Sequence, residues 1–251
     1  MANYKLLIQY EGTRYNGWQR QDSTDQTIQG KIEQVLSRLY GQSVEINGSG
    51  RTDGGVHAIG QTANFKVGKK EDQFSTEEIL QYVNAYLPQD IRVMSVEHVD
   101  ERFHARLSAK SKIYEYRIDR GRVESVFDRR FAARTEGTLD LERMRKAASY
   151  CIGTHDFKSF CSNKKMKKST VRTIYDISFR EEGQILTLRF HGDGFLYNMV
   201  RILTGSLIEI GEGRREPEEM EQMIAARERG AAGYTAPPQG LFLVNVLYPE
   251  K

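Results

Sequence analysis

The order of secondary-structure elements predicted from the sequence constrains the fold most, because the same order occurs twice. Strands are marked by aromatic and branched residues, and helices by apolar residues at a spacing of three to four. The first half predicts β-α-β-β-α-β, with strands at 4–10, 44–47, 61–67 and 91–99. Its first helix is predicted at 28–39 and ends at Gly41, and its second begins with a capping box of Ser75 and Glu78 and continues through Tyr86. The second half predicts the same order, with strands at 112–118, 171–179, 184–190 and 241–247 and helices at 139–151, 195–210 and, as an insertion, 216–227.

This repetition predicts an α+β protein of two split-βαβ halves of ferredoxin-like type, similar in layout to RNA-recognition modules. The expected halves are residues 1–105 and 106–251. They are expected to join through a central, mainly antiparallel sheet with flanking helices, and an active-site cleft is expected between them.

Composition narrows the class of protein. The chain has 251 residues, of which 39% are hydrophobic and 28% charged, a balance that suits a soluble protein. No basic leader or long apolar run is present, so a cytoplasmic location is expected. Cys151 and Cys161 are too far apart for a Cys-x-x-Cys site, and neither a zinc site nor a disulfide framework is indicated.

A glycine-rich segment is the strongest candidate for chemistry. It reads Gly-Ser-Gly-Arg-Thr-Asp-Gly-Gly over 48–55. Glycine permits tight turns and close approach of a ligand, and the carboxylate of Asp53 is expected at the tip of the loop. An ordinary turn between two strands is the alternative interpretation.

The segment at 48–53 closely resembles the catalytic-aspartate segment of the A family of tRNA pseudouridine synthases. Further segments resemble the same family in the same order along nearly the whole chain. They lie at 15–21, 27–30, 103–106, 155–160, 194–201 and 238–241.

The resemblance implies that Asp53 is the catalytic carboxylate of a uridine isomerase, attacking either the sugar or the pyrimidine ring. This reaction demands no metal or organic cofactor. Arg51 is expected to contact the substrate. Arg201 matches the arginine that pairs with the catalytic aspartate, although Asn198 stands where many relatives carry His.

Tyr114 matches the family's active-site tyrosine, which can stack on uracil and accept the C5 proton; a core tyrosine beside Tyr116 is the alternative. Leu241 matches an apolar residue that packs on the target base, and a core leucine is an equally good interpretation. The resemblance also implies a homodimer, for which Phe127 and Phe131 give weak independent support.

Basic residues predict a surface that follows RNA phosphates. They are Lys164, Lys165, Lys167, Lys168, Arg14, Arg20, Arg120, Arg122, Arg129 and Arg130. By resemblance the RNA is tRNA, bound at its anticodon stem-loop, with uridines 38, 39 and 40 as targets.

Two other functions compete with this one. A noncatalytic RNA-binding protein of two recognition modules would leave Arg51, Asp53, Tyr114 and Arg201 unexplained. A metal-dependent hydrolase lacks a ligand cluster, since His57, His104 and His155 lie in separate segments and are expected to serve in capping or hydrogen bonding.

Overall fold

The computed structural model describes residues 1–163 and 165–249, which form a mixed α/β structure with a mainly antiparallel open sheet. Its strands are β1 (Ala2–Tyr10), β2 (Ile46–Gly48), β3 (His57–Val67), β4 (Ile91–Val99), β5 (Ser111–Asp119), β6 (Ala133–Arg134), β7 (Gly153–Asp156), β8 (Val171–Glu182), β9 (Ile185–Gly192) and β10 (Leu241–Leu247). The helices are α1 (Ile28–Tyr40), α2 (Thr76–Tyr86), α3 (Leu141–Ser149), α4 (Met199–Gly211) and α5 (Glu219–Ala226).

The chain divides into two compact units, Met1–Lys110 with Phe242–Lys251, and Ser111–Leu241. In the first unit the strands pair in the order β4-β1-β3, and all these pairs are antiparallel. The far edge of β3 is shared, because β2 pairs with its C-terminal part and β10 pairs in parallel with His57 and Ala58 at its beginning.

The core of the first unit forms where the strands and helices place their apolar faces together. Leu6 and Ile8 of β1 are fully buried, as are Ile28, Ile32 and Leu36 of α1. The spacing of the α1 residues puts them on one face, so that face covers apolar surface and the other stays in water.

In the second unit the strands pair in the order β5-β9-β8-β7, all antiparallel, and the short β6 runs parallel to β5. Helix α4 is apolar around most of its circumference, and nearly all of its residues are buried. A helix of this composition belongs inside a core rather than on a surface.

The structure corrects some predicted boundaries. The helix predicted at 195–210 begins only at Met199, because Asn198 has a left-handed backbone with φ of 62°. β6 and β7 were not predicted, and in place of the strand predicted at 44–47, β2 runs from Ile46 to Gly48. Within the described ranges, no helix combines the length and apolarity needed to cross a membrane.

Candidate active site

Asp53 lies half-buried in the loop between β2 and β3. The connection between β1 and α1 supports this loop through its backbone. Trp18 N donates to Thr52 O at 3.0 Å, and Gly55 N donates to Tyr15 O at 3.3 Å. Gly17 has φ of +97°, and a Cβ there would lie 2.7 Å from Thr52 O, so the close contact between the two loops requires glycine.

A buried polar cluster also holds the same loop. Ser49 Oγ donates to Gln61 Oε1 at 2.6 Å, and Gln61 Nε2 donates to Gly50 O at 3.0 Å. Tyr10 OH and Thr52 Oγ1 share a hydrogen bond of 2.8 Å. We name Tyr10, Ser49, Thr52 and Gln61 the loop-support cluster; each is less than 9% exposed.

Burial strengthens this cluster. It raises the pKa of Tyr10 well above its ordinary value, although the hydrogen bonds with Thr52 and Gln61 act in the opposite direction. The hydroxyl therefore stays protonated at neutral pH and keeps its hydrogen. Leaving a buried polar group without its hydrogen bond destabilises the protein. The cluster therefore holds the loop beside Asp53 in one conformation.

His57, next to this loop at the start of β3, makes a hydrogen bond as expected from the sequence. Its Nδ1 accepts from Gly12 N at 3.0 Å, and its ring stacks on Phe242 with centroids 4.7 Å apart. The imidazole of β3 therefore contacts both the connection between β1 and α1 and strand β10 within the first unit.

The arginines proposed to contact substrate in the first unit have partners within the chain. The exposed Arg51 donates from Nε to Gln19 Oε1 at 3.1 Å. Arg14 Nη2 lies 2.6 Å from Asp90 Oδ2, and Arg20 Nη1 lies 2.9 Å from Glu33 Oε2. Arg14 and Arg20 still expose more than half of their side chains.

Asp90 is the anchor of Arg14 and also accepts a hydrogen bond from Tyr15 OH at 2.6 Å. Burial alone would raise the pKa of Asp90, but the hydrogen bonds from Tyr15 and Arg14 outweigh it and lower the pKa. Asp90 is therefore ionised at neutral pH and holds the connection between β1 and α1 from outside.

In the second unit Arg201 is half-buried in the first turn of α4. Its Nε donates to Ala236 O at 2.7 Å, and its Nη1 donates to Asn198 Oδ1 at 3.0 Å. Asn198 Nδ2 in turn donates to Ser162 Oγ at 3.0 Å. Asn198 therefore orients the guanidinium group and is itself fixed by Ser162.

Tyr114 and Tyr116 lie two residues apart on β5 and therefore share one of its faces. Tyr114 is 8% exposed, and the edge of its ring contacts Phe195, with centroids 5.2 Å apart. Tyr116 is fully buried and donates its hydroxyl hydrogen to Pro237 O at 2.7 Å. Burial raises the pKa of Tyr116, while the charge of Arg201 acts weakly in the opposite direction.

The remaining site residues lie in two places. Leu241 is buried at the start of β10. Lys165 is exposed, and its backbone N–H donates to Asn163 Oδ1 at 3.1 Å. Lys164 lies outside the described residues.

The supporting roles of Gln61, Ser49 and Ser162 were not predicted, and Asn198 was noted only as a residue that differs from the His of many relatives. One indication was present for Gln61, an amide in a strand whose neighbours Ala63 and Phe65 are apolar. A polar side chain at a buried strand position needs partners, and here they belong to the loop.

A half-buried carboxylate therefore lies on a glycine loop that hydrogen bonds hold in place, and an oriented arginine and buried tyrosines lie elsewhere in the chain. The comparisons with known proteins specify the family. The family model described as tRNA pseudouridine synthase matches residues 6–107 and 147–249. The chain therefore belongs to the tRNA pseudouridine synthase family and is an isomerase that converts uridine in tRNA to pseudouridine.

Full-length relatives agree with this assignment. The chain is 45% identical to tRNA pseudouridine synthase A of Bacillus sp. (strain KSM-64), over 99% of this chain and 100% of that protein. It is 45% identical to tRNA pseudouridine synthase A of Acetivibrio thermocellus, with 99% and 100% covered. It is 42% identical to tRNA pseudouridine synthase A 2 of Bacillus cereus (strain ZK / E33L), with 98% and 99% covered.

Among solved structures, a chain of a Cbf5-Nop10-Gar1 complex shows only distant similarity. The TM-score is 0.34 and the identity 13%, over 72% of this chain and 40% of that one. This similarity is too distant to indicate a shared fold.

Proposed function

We propose that the protein isomerises uridines 38, 39 and 40 in the anticodon stem-loop of tRNA, with Asp53 as the nucleophile. The observation that supports Asp53 most is its place on a loop that has two sets of hydrogen bonds, one with the connection between β1 and α1 and one within the loop-support cluster. A nucleophile held in this way needs little reorganisation before attack.

The reaction breaks the bond from uracil N1 to ribose C1′ and forms one from C5 to C1′. The proton leaves C5, and N1 takes up a proton. In our proposal Asp53 attacks either C1′ or the pyrimidine ring. Tyr114 stacks on the uracil and accepts the C5 proton. Arg201 supplies the positive charge that keeps the Asp53 carboxylate ionised when RNA excludes water. No redox partner or group donor is needed, because the product is an isomer of the substrate.

Substrate contacts follow from the same proposal. The target uridine must leave its stack, which costs a few kcal/mol, so contacts along the RNA have to offset that loss. Leu241 packs on the flipped base, and Arg51 contacts the nucleotide. Arg14, Arg20, Lys165 and Lys164, the last outside the described residues, contact phosphates.

We also propose that the protein is cytoplasmic and forms a homodimer. Each chain would consist of two ferredoxin-like halves. In the first unit β3 lies between β1 and β2, and β1 lies between β3 and β4, which is the pairing of two split βαβ units. In the second unit β5, β9 and β8 follow the same order, which supports the same layout.

Tritium release tests the role of Asp53. With tRNA carrying uridine labelled at C5, the wild type is expected to release tritium, because formation of the new bond expels that label. Asp53→Asn should bind tRNA and release none, whereas the exposed Asp22→Asn should behave as the wild type. Release by Asp53→Asn would remove Asp53 from the chemistry. No release by the wild type, with tRNA still bound, would favour a noncatalytic RNA-binding protein.

A second arm tests the target positions. Three tRNA transcripts, each retaining a single uridine among positions 38, 39 and 40, should each release tritium. A transcript with cytidine at all three should release none. Release from that last transcript would place the reaction elsewhere in the tRNA.

A further inference from the structure

A cleft of about 470 Å³ lies in the second unit, beyond the end of β5. Its walls are the turn at Arg120 and Arg122, the hairpin turn between β8 and β9, and the connection from β6 to α3. This volume is in the range of about 300 to 1,000 Å³ that is usual for small-molecule sites.

Among the side chains that line the cleft, arginines outnumber carboxylates. Arg120, Arg122 and Arg134 line it, and Glu136 is the carboxylate residue among the lining side chains. Arg120 Nη2 pairs with Glu181 outside the lining at 2.7 Å. Within the described residues, neither Arg122 nor Arg134 forms an ion pair with a carboxylate, and Arg134 Nη2 donates instead to Arg122 O at 3.2 Å. Like charges gathered in a concavity attract anions.

Hydrogen bonds fix the walls of the cleft. Asp119 is 2% exposed. Its carboxylate accepts hydrogen bonds from Gly121 N at 2.8 Å and from Ser125 N at 3.2 Å. Arg120 N donates to Gln184 O at 2.9 Å, and Thr135 N donates to Asp119 O at 3.2 Å. The arginines therefore stand on backbone that is already ordered before a ligand binds, which lowers the entropy lost on binding.

We propose that this cleft binds phosphate groups of the tRNA backbone at a distance from the reacting uridine. The inference rests on the proposed function, which makes tRNA the polyanion that this protein meets. Guanidinium groups match phosphate oxygens in geometry as well as in charge. Tyr114 and Arg120 are six residues apart in sequence, five of those steps within β5, and a strand rises about 3.3 Å per residue. The cleft is therefore about 20 Å from Tyr114, a span of several nucleotides.

The test compares two double variants that lose the same charge. Arg122→Gln with Arg134→Gln removes the unpaired arginines of the cleft. Arg145→Gln with Lys70→Gln removes two cations outside it and serves as the control. Binding of unmodified tRNA is measured from about 50 to about 200 mM salt, together with kcat and KM.

For the cleft variant, the slope of log affinity against log salt should fall by about two units, one for each lost phosphate contact. The deficit in affinity should accordingly be about fifteenfold larger at the low-salt end than at the high-salt end. KM should rise while kcat at saturating tRNA stays within about twofold. The control should keep the wild-type slope.

An unchanged slope and KM in the cleft variant would overturn the proposal. A free phosphate compound is the other source of the same chemistry, and pyrophosphate is its probe. If pyrophosphate raises the melting temperature of the wild type but not of the cleft variant, while both bind tRNA with the same slope, the ligand is a small phosphate and the RNA contact is wrong. These readouts use binding, so they stay informative even if the wild type releases no tritium.

Discussion

At the scale of single residues, the carboxamide of Gln61 supports the Asp53 loop through two hydrogen bonds. It is fully buried and bonds to both Ser49 and Gly50, which precede Asp53 in the loop. Its two ends cannot be exchanged, since Oε1 accepts from a hydroxyl and Nε2 donates to a carbonyl. Removal of the amide therefore removes one hydrogen bond made by the Ser49 hydroxyl and one accepted by the Gly50 carbonyl.

We expect Gln61→Met, which keeps the length of the side chain, to lower the free energy of unfolding by about 2 kcal/mol because buried polar groups lose their partners. The rate of turnover should also fall, by about a hundredfold, since a small displacement of a reacting group has an effect of that size. Urea denaturation and single-turnover tritium release measure the two effects. Gln81→Met, at an exposed position of α2, is the control, and wild-type turnover in Gln61→Met would contradict the positioning role.

Asn198 has two roles that substitution can separate. Its left-handed backbone favours asparagine or glycine, and its side chain orients Arg201. Asn198→Gly retains the conformation and removes the bond, so kcat should fall about tenfold with little change in KM. Asn198→Ala should show the same kinetic loss and also lower the free energy of unfolding by about a further 1 kcal/mol because of backbone strain. Equal turnover of Asn198→Gly and the wild type would show that Arg201 needs no such partner.

At the scale of elements, local sequence predicted the helices whose ends carry strong capping residues. Helix α1 was expected to end at Gly41, and Gly41 has φ of 64°. Helix α2 was expected to begin with a capping box of Ser75 and Glu78, and both hydrogen bonds are present. Helix α4 was predicted to start too early, because its apolar pattern continues back through Phe195 and Leu196 although Asn198 interrupts the helix.

The capping box of α2 gives a prediction about stability alone. Ser75→Ala removes the side chain that accepts from Glu78 N, and the free energy of unfolding should fall by about 1 kcal/mol. Ser75 is remote in the chain from the Asp53 loop, so kcat should stay at the wild-type value. Ser43→Ala, at an exposed position beyond α1, is the control for thermal or urea denaturation. A loss of turnover in Ser75→Ala would indicate an unexpected coupling to the site.

At the scale of the whole chain, the presence of helices and strands could be predicted from the sequence better than the pairing of the strands in the sheet. Short strands such as β6, with two residues, carry too little pattern to detect. The pairing of β10 with the beginning of β3 involves contacts such as that of Phe242 with His57, and these two residues are far apart in the sequence. The loop-support cluster could not be predicted for the same reason, because its residues come from β1, β3 and the loop and meet only after folding.

A buried thiol lowers the stability of the folded protein at alkaline pH. Cys151 is fully buried after α3, and burial raises the pKa of its thiol from an ordinary value of 9.0 to about 12. A raised pKa in the folded state means that the stabilisation is complete below pH 9 and is lost as the pH rises towards 12. The unfolded chain releases the proton first, so alkali favours unfolding.

The wild type should therefore lose stability between about pH 8 and about pH 10.5 more steeply than Cys151→Ala, by about 1 to 2 kcal/mol over that interval. Urea denaturation at each pH measures the two slopes, and the comparison cancels the tyrosines and lysines common to both proteins. The cavity left by alanine shifts its stability at every pH equally, so only the slopes bear on the thiol. In Cys161→Ser, a thiol reagent at about pH 8 should label Cys151 only as the protein unfolds. Parallel slopes together with rapid labelling of the folded protein would show that Cys151 is accessible to solvent.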